Sequence, residues 1–347
     1  MKHLSGTHHD IGRQIGTYYK SCGVSFAPVT EAAILDRQIT FYEKHAPEIL
    51  DELQGITQGG GYDFNAVAHA FLVGEILFLR TRAQRSCSIG GFTDSSGHVW
   101  VVRNYDWHPA VSKAFQTWKF SFSGKEVLAI SDMGIIDSGG IDKSKQLFLY
   151  EDAINGDGLY IGMTFAYRWV DAIGLTSFDA VRLVAWRCQS VAEAVRLFET
   201  IPLASPKNFF IADKTGKMAV IQHGVDKFDV RYPNEEGLLA LTNHYVGRLD
   251  ADDQVRKANP NHSTFNRYAQ LMGDMRKTAR SASVDFNKLD ILMTSPSTPV
   301  CQCIRDTKTS QVQMETVWTL LLAPLQQRYR LIGNPRSKDR TSMDIVV

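Results

Sequence analysis

The sequence predicts a mixed α+β fold, and three observations support this prediction. Residues 1–82 carry helix start and stop signals in close succession. From residue 87 onward the composition changes to short, apolar, β-branched runs that are separated by clusters of turn residues. Two further blocks of helical segments interrupt these runs before the chain ends. Helices and strands that occur in separate blocks favour sheets buried between helical layers.

The first 82 residues are predicted to form four helices. Thr7 is a suitable N-cap for the first helix, and Pro47 is well placed at the start of the third. A run of three glycines ends the third helix, and Asp63 or Asn65 caps a largely apolar fourth one. The predicted helices span residues 8–19, 30–45, 47–59 and 63–79.

Strands and two pairs of helices are predicted for the rest of the chain. Ser190 and Glu193 have the spacing of a capping box, which starts one of these helices. Residues 132–145 are rich in Gly, Asp and Ser, so we expect a long loop of the kind that often borders an active site. The predicted helices are 177–188, 190–201, 263–276 and 283–293. The predicted strands form the hairpin 85–107 and the segments 117–122, 127–130, 159–165, 208–212, 218–222, 237–242, 316–322 and 329–332.

Length and composition limit the classes of function. The chain has 347 residues, of which 44% are hydrophobic, so it can bury a large core. It shows no internal repeat, low-complexity tract or linker, and we therefore expect one structural domain. The net charge of +1 and the interspersed signs argue against a nucleic-acid or membrane-surface partner.

The sequence also bears on the cellular compartment. Its longest apolar stretch, residues 66–79, is shorter than a membrane span needs and contains His69 and Glu75. The N-terminal residues include no apolar core of the kind a secretory signal has. The five cysteines are odd in number and scattered, which suits a reduced compartment. These features predict a protein without a transmembrane segment, located in the cytoplasm.

Three reactive side chains lie in the predicted hairpin 85–107. Cys87 opens its first strand, and Arg103 and Asp106 are near the end of its second. A turn at residues 95–96 would place Cys87 opposite Asn104 or Tyr105, and directly opposed residues are about 5 Å apart. A regular strand points Arg103 and Asp106 to opposite faces, so either the strand is irregular or one of them does not face the thiol. Taken singly, each of the three is more often structural.

The spacing of these residues resembles a known nucleophile hairpin. Cys87 is followed by Arg103 and Asp106 in the pattern C-x(9)-G-x(5)-R-N-x-D. This pattern resembles that of the choloylglycine hydrolase and penicillin V acylase group, of acid ceramidase, and of the acyl-CoA:6-aminopenicillanate acyltransferase (peptidase C45) group. All are N-terminal-nucleophile (Ntn) hydrolases that act on linear amides. The opening G-T-H-H-D-I-G-R-Q-I-G also resembles the start of the C45-like acyltransferases.

The resemblance implies a fold and a maturation step. The expected fold is the four-layer αββα sandwich of the Ntn hydrolases, preceded by a helical N-terminal segment. Self-cleavage of the Ser86–Cys87 bond would separate residues 1–86, a candidate propeptide or small chain, from a catalytic core over residues 87–347. The α-amino group that this cleavage frees has an ordinary pKa of about 7.7–8.0, so it can serve as the base for the Cys87 thiol.

The resemblance also implies roles for individual residues. Arg103 would stabilise the thiolate, and Asp106 would hold the new amine. Asn243, in L-T-N, would donate to the oxyanion of the tetrahedral intermediate, although an Asn that ends a strand is equally often a turn residue. Arg267, in S-T-x-x-R, would be a second arginine of the site. Thr164 occupies the position of a family Asn that helps to bind the oxyanion.

These features predict a cysteine Ntn amidohydrolase or acyltransferase that acts on an N-acylated small molecule through an acyl-Cys intermediate. Two alternatives stay open: a catalytically silent ligand-binding relative, and a phospholipase B-like esterase that acts on lipids. The sequence leaves the acyl and amine specificity open, and also whether the chain forms a homo-oligomer. No cofactor is expected, because Cys301 and Cys303 have no second cysteine pair or histidine cluster with which to bind a metal.

Overall fold

Two β-sheets stack face to face between two layers of helices in the computed structural model of the chain. The structure describes residues 1–80, 86–131, 136–137, 140–141, 147–166 and 168–347. The arrangement is the predicted αββα sandwich. Of the predicted loop 132–145, only 136–137 and 140–141 are described, and they pair as two short strands; the rest lies outside the described residues.

The helices occur in three blocks along the chain. Asp63 caps α4, and a π-helical turn over His69–Val73 separates α4 from α5, so the predicted fourth helix is interrupted. Thr7, Thr176 and Ser190 cap α1, α6 and α7 with their side chains. The helices are α1 (His8–Ser21), α2 (Ala32–His45), α3 (Pro47–Gly60), α4 (Phe64–Ala68), α5 (Gly74–Arg80), α6 (Ser177–Arg187), α7 (Val191–Thr200), α8 (Gln254–Ala258), α9 (Ser263–Ala279) and α10 (Phe286–Thr294).

The strands follow the predicted runs closely, with additional short strands that were not predicted. They are β1 (Lys2–Ser5), β2 (Ser86–Thr93), β3 (Val99–Trp107), β4 (Gln116–Phe122), β5 (Lys125–Ser131), β6 (Ile136–Asp137), β7 (Gly140–Ile141), β8 (Asp152–Asn155), β9 (Tyr160–Phe165), β10 (Lys207–Ala212), β11 (Met218–His223), β12 (Phe228–Arg231), β13 (Leu238–Leu241), β14 (Cys303–Arg305), β15 (Val312–Ala323), β16 (Arg328–Gly333) and β17 (Thr341–Ile345). Among the described residues no helix is both long and apolar enough to cross a membrane.

The strands form two large sheets. The first has the order β1-β4-β5-β8-β9-β10-β11-β12, and the second has the order β13-β2-β3-β15-β16-β17 with β14 beside β15. We call them the eight-stranded sheet and the nucleophile sheet, since the second contains Cys87, the predicted nucleophile. Side chains such as Ile89, Leu128 and Val220 form a core between the two sheets. A second core lies between the eight-stranded sheet and α1–α7, and a third between the nucleophile sheet and α9 and α10.

Glycines explain the sequence pattern at the start of the chain. Gly12 and Gly16 of α1 lie against α3, and a Cβ at either position would overlap the carbonyl oxygen of Glu52 or Ile56. The two helices can therefore approach closely only if these residues lack a side chain. The glycine spacing that resembles the acyltransferase start thus has a packing role here.

The predicted hairpin is β2 and β3, and its register is one of the two expected. Cys87 is paired with Tyr105, and Ser86 is directly opposite Asp106. The register between β3 and β15 shifts between Thr316 and Trp318. The extra residue of this β-bulge belongs to β15, so the side chains of β3 keep their alternation.

Candidate active site

The backbone of Cys87 is held by two of the predicted site residues. Its N–H group donates to Oδ1 of Asn243 over 2.9 Å, and its carbonyl oxygen accepts a hydrogen bond from Nη1 of Arg267. The residue is the second of β2 and is only 3% exposed. Two of the predicted residues, Asn243 and Arg267, therefore meet at the backbone of Cys87.

The thiol of Cys87 is protonated at neutral pH in the intact chain. Burial raises its pKa above the ordinary value, and the guanidinium of Arg103 opposes this effect. The carboxylate of Asp106 raises the pKa further. A thiolate at this position therefore needs a base that removes the proton as the sulfur attacks.

Arg103 points into the space between the sheets and forms a buried ion pair. Its Nε lies 3.3 Å from the carboxylate of Asp152 on β8, and both side chains are fully buried. Its Nη2 donates to the carbonyl oxygen of Met163 over 3.0 Å. The hydroxyl of Tyr160 donates to the same carboxylate over 2.5 Å. Asp152 balances the positive charge next to the thiol.

Asp106 lies on the opposite face of β3, toward α9. Its Oδ1 accepts a hydrogen bond of 2.7 Å from the hydroxyl of Thr316. Its Oδ2 is buried and has no hydrogen-bond partner among the described residues. Burial raises the pKa of this carboxyl to about 6, although Arg267 opposes the shift. The alternation of β3 thus holds, and Arg103 and Asp106 do not meet on one face.

Asn243 and Arg267 form one buried network with the strand that carries Cys87. Nη2 of Arg267 donates to Oδ1 of Asn243 over 2.8 Å, and Nη1 donates to the hydroxyl of Ser88 over 3.0 Å. Nδ2 of Asn243 donates to the carbonyl oxygen of Phe165 over 3.0 Å. Asn243 follows β13, the antiparallel neighbour of β2, which explains how its side chain reaches residue 87. Asn243 therefore binds the backbone of Cys87 and Phe165 in addition to ending a strand.

Thr164 is close to this network but its hydroxyl is already used. The side chain is buried on β9, and its Oγ1 donates to the carbonyl oxygen of Thr242 over 2.6 Å. A hydroxyl has one proton, so this residue cannot donate to a substrate at the same time. The structure thus places all six predicted residues around the first residues of β2, but on two faces of the nucleophile sheet.

Two further residues support the site and were not predicted from the sequence. Asp152 neutralises Arg103, and Thr264 accepts a hydrogen bond of 2.9 Å from the backbone N–H of Asn243. In the sequence, Asp152 stands out only as a charged residue directly before the apolar residues 153–154. Thr264 is the second residue of the S-T-x-x-R element, and it lies 3.0 Å from Nδ1 of His244. Burial lowers the pKa of His244 to about 3, so this imidazole is neutral at physiological pH.

Comparison with known proteins identifies the family. A family model described as acyl-coenzyme A:6-aminopenicillanic acid acyl-transferase matches residues 93–336, a span that begins after Cys87. A comparison with curated protein sequences gives no match.

A solved structure shows the same fold, and a second one is similar. Penicillin V acylase from Agrobacterium tumefaciens superposes with a TM-score of 0.50 at 13% sequence identity, covering 75% of this chain and 86% of that one. A variant of conjugated bile acid hydrolase from Clostridium perfringens superposes with a TM-score of 0.48 at 15% identity, covering 74% of this chain and 92% of that one.

The family resemblance predicted from the nucleophile hairpin is confirmed by a match that covers more than half of the chain. The chain belongs to the acyl-coenzyme A:6-aminopenicillanic acid acyl-transferase family, and it is an enzyme of the Ntn-hydrolase group, whose members are amide hydrolases or acyltransferases.

Proposed function

We propose that the protein is a cysteine Ntn amidohydrolase or acyltransferase that cleaves a linear amide of an N-acylated small molecule. One observation carries this proposal: Asn243 and Arg267 bind the backbone N–H and C=O of Cys87. An ordinary cysteine protease takes the proton of its nucleophile with a separate side-chain base. An Ntn enzyme uses the backbone nitrogen, and a site built around that nitrogen therefore supports the Ntn mechanism.

Maturation would begin with an attack within the chain. Sγ of Cys87 attacks the carbonyl carbon of Ser86, and the new S–C bond replaces the C–N bond between the two residues. The thiol proton passes to the nitrogen of Cys87. Water then hydrolyses the thioester, its hydroxyl going to the carboxyl group of Ser86 and its proton to the sulfur. The products are a free thiol and a free α-amine on Cys87.

Asp106 is suited to hold that amine. It is directly opposite Ser86 on the neighbouring strand, and its Oδ2 accepts no hydrogen bond from any described residue of the intact chain. An unpaired buried carboxylate oxygen is costly, and a protonated amine would remove that cost. We therefore assign Asp106 to the ammonium and not to the thiol.

Turnover would use the same groups on a second amide. The α-amine of Cys87 takes the thiol proton, and the thiolate attacks the carbonyl carbon of the substrate. Asn243 donates to the oxygen as it gains negative charge, a contribution on the order of 3–4 kcal/mol for one such donor. The C–N bond then breaks, and the leaving amine carries away the proton. Water or a second amine attacks the acyl-Cys thioester, and the sulfur is released.

Arg103 and Asp152 would set the electrostatics of the thiol. A lone buried arginine would favour the thiolate strongly, but the paired Asp152 offsets part of that effect. The thiol can then stay protonated until the substrate is bound. We propose that Arg103 stabilises the thiolate during attack, when the negative charge is transient.

The names of related proteins support an acyl group attached to nitrogen as the target. The family description names acyl transfer to an aminopenicillanic acid, and the structural relative from Agrobacterium tumefaciens is named as a penicillin V acylase. Hydrolysis and acyl transfer share the acyl-Cys intermediate and differ only in whether water or an amine resolves it.

A panel of N-acyl aminomethylcoumarin amides with acyl chains of increasing length tests this proposal. Wild-type protein should release the coumarin, and rapid acid quenching should trap one acyl group on the fragment that contains Cys87. Cys87→Ala should abolish both signals, whereas the matched control Cys303→Ala should retain them. Turnover by Cys87→Ala, or an acyl group found elsewhere, would remove Cys87 as the nucleophile. Failure of wild type to turn over any amide would favour the silent ligand-binding alternative.

A further inference from the structure

A row of three polar side chains crosses the eight-stranded sheet next to the site. Thr164 on β9 is paired with Asn208 on β10, and Asn208 is paired with Gln222 on β11. The residue two positions along β10, Phe210, belongs to the core between the sheets, whereas Phe209 belongs to the core against the helices. Since side chains alternate along a strand, the side chain of Asn208 points between the two sheets.

Asn208 is unusual within this row because its amide forms no hydrogen bond in the part of the chain that the structure describes. It is fully buried, and neither its Nδ2 nor its Oδ1 forms a hydrogen bond with any described residue. The amide of Gln222 is satisfied on both atoms by the backbone of Val246. Buried polar groups are nearly always paired in native proteins, so two unpaired atoms on one side chain call for a ligand or a functional explanation.

The surroundings of Asn208 connect it to the acylation site. The neighbouring strand, β9, accepts hydrogen bonds from Arg103 and Asn243 near its C-terminal end. Arg103 donates to the carbonyl oxygen of Met163, and Asn243 donates to that of Phe165. Between these two, the hydroxyl of Thr164 is consumed by the carbonyl oxygen of Thr242. Thr164, at the position that the family resemblance assigns to an oxyanion donor, thus has no proton left to donate. Its strand partner Asn208 has two amide protons that no described residue accepts.

We propose that Asn208 is a further catalytic residue, whose side-chain amide donates to the substrate carbonyl oxygen as that oxygen becomes an oxyanion. Together with Asn243 it would supply the two donors that a tetrahedral intermediate needs. Cys87 and Asn208 are both buried, and the side chains of both face the space between the two sheets. This inference rests on the proposed function and assigns a residue to the oxyanion site.

The test compares activity and stability in the same variant. Asn208→Leu keeps the branching at Cγ but removes both N–H donors, so kcat should fall by roughly 10²–10³-fold with KM nearly unchanged. Its melting temperature should stay equal or rise, because two unpaired buried polar atoms are gone. Asn208→Ala should show the same loss of kcat if Leu does not fit. A kcat within about threefold of wild type in a folded variant would overturn the inference.

A matched control is available in the same sheet. Asn155 is also a buried Asn of this sheet, but its Nδ2 donates to Ala185 and Cys188 and its Oδ1 accepts from Asp157 and Leu159. Asn155→Leu should therefore lower the melting temperature and leave kcat of the folded protein unchanged. The two variants should thus give opposite patterns.

The assay also separates this inference from the proposed function. Rates are measured on coumarin amides per mole of protein whose Cys87 is a new N-terminus. Normal turnover by matured Asn208→Leu and Asn208→Ala would refute the role of Asn208 and leave the Ntn mechanism intact. Wild-type protein that neither matures nor turns over an amide would refute both.

Discussion

Arg103 and Asp106, three residues apart on one strand, lie on opposite faces of the sheet that carries Cys87. Arg103 pairs with Asp152 between the sheets, and Asp106 bonds to Thr316 on the side of α9. The strand therefore divides the two charges, with the cation near the thiol and the carboxylate near the residue that precedes it. In the proposed mechanism, this division assigns Arg103 to the sulfur of Cys87 and Asp106 to its nitrogen.

The buried carboxyl of Asp106 should destabilise the uncleaved chain at neutral pH. Its pKa is raised from 3.8 to about 6 by burial, so the folded chain holds this proton more tightly than the unfolded chain. Stability from this group is thus lost as the pH rises from about 4 to about 6. In a Cys87→Ala background, Asp106→Asn should increase the free energy of unfolding at pH 7 by up to roughly 3 kcal/mol.

Urea unfolding at pH 4 and pH 7 measures this difference. The difference should be much smaller at pH 4, where the carboxyl is protonated in the folded chain and partly protonated in the unfolded chain. An Asn variant that is less stable than its parent at pH 7 would show that Asp106 already has a partner in the intact chain.

Removal of the charge on Asp152 should activate the thiol and destabilise the protein. Asp152→Asn leaves Arg103 buried without its carboxylate, so the pKa of the Cys87 thiol should fall. The lost partner of a buried ion pair costs about 3–5 kcal/mol. The pH dependence of alkylation by iodoacetamide, followed by peptide mapping, reports the pKa of Cys87 directly.

The exposed pair of Arg330 and Asp344 provides the control for that experiment. Asp344→Asn should change neither the thiol pKa nor, by more than about 1 kcal/mol, the stability. A thiol pKa that is unchanged or higher in Asp152→Asn would mean that Arg103 does not act on the sulfur.

Asn243 should affect both catalysis and stability. Asn243→Ala removes the proposed donor to the oxyanion, so kcat and kcat/KM should fall together by roughly 10²–10³-fold. It also leaves buried groups of Cys87 and Phe165 unpaired, at roughly 1–3 kcal/mol each. Kinetics and thermal unfolding on one preparation measure the two effects.

The exposed turn residue Asn234 is the matched control, because its side chain caps only the turn before β13. Asn234→Ala should cost about 1 kcal/mol of stability and leave kcat unchanged. If Asn243→Ala behaved in the same way, Asn243 would be a turn residue and would leave the proposed site.

The glycines of α1 should be intolerant of any side chain. Gly16→Ala places a methyl group against the carbonyl oxygen of Ile56, and such overpacking costs about 1–3 kcal/mol. Gly273 of α9 has open space around it, so Gly273→Ala should instead stabilise the chain by up to about 1 kcal/mol. Urea unfolding compares the two variants, and equal effects would refute the close contact between α1 and α3.

Local patterns account for what could be predicted from the sequence. Caps such as Thr7 and Ser190 and the start at Pro47 predicted helices correctly, because each satisfies or tolerates free backbone groups at a helix end. The predicted hairpin turn also limited the partner of Cys87 to two residues, because a short turn determines which residues of the two strands pair. The alternation of side chains left two possibilities, an irregular strand or side chains on opposite faces, and the structure has Arg103 and Asp106 on opposite faces.

Contacts between distant segments could not be predicted in this way. Asp152 meets Arg103 across two sheets, and Asn208 meets Thr164 through strand pairing over 44 positions of sequence (208 − 164). The short edge strands β1 and β17 were also missed, since their residues are largely exposed and lack an apolar pattern. Tertiary pairing, and not local propensity, makes these segments strands.

The intact mass of purified protein after incubation at neutral pH tests the central claim most directly. The Ntn mechanism requires a free α-amine on Cys87, so wild-type protein should separate into two co-purifying fragments, with Cys87 as the N-terminal residue of the larger one. Cys87→Ala should retain the mass of the full chain. A wild-type chain that stays whole while it hydrolyses amides at full rate would contradict the account, because its nucleophile would then work without the amine.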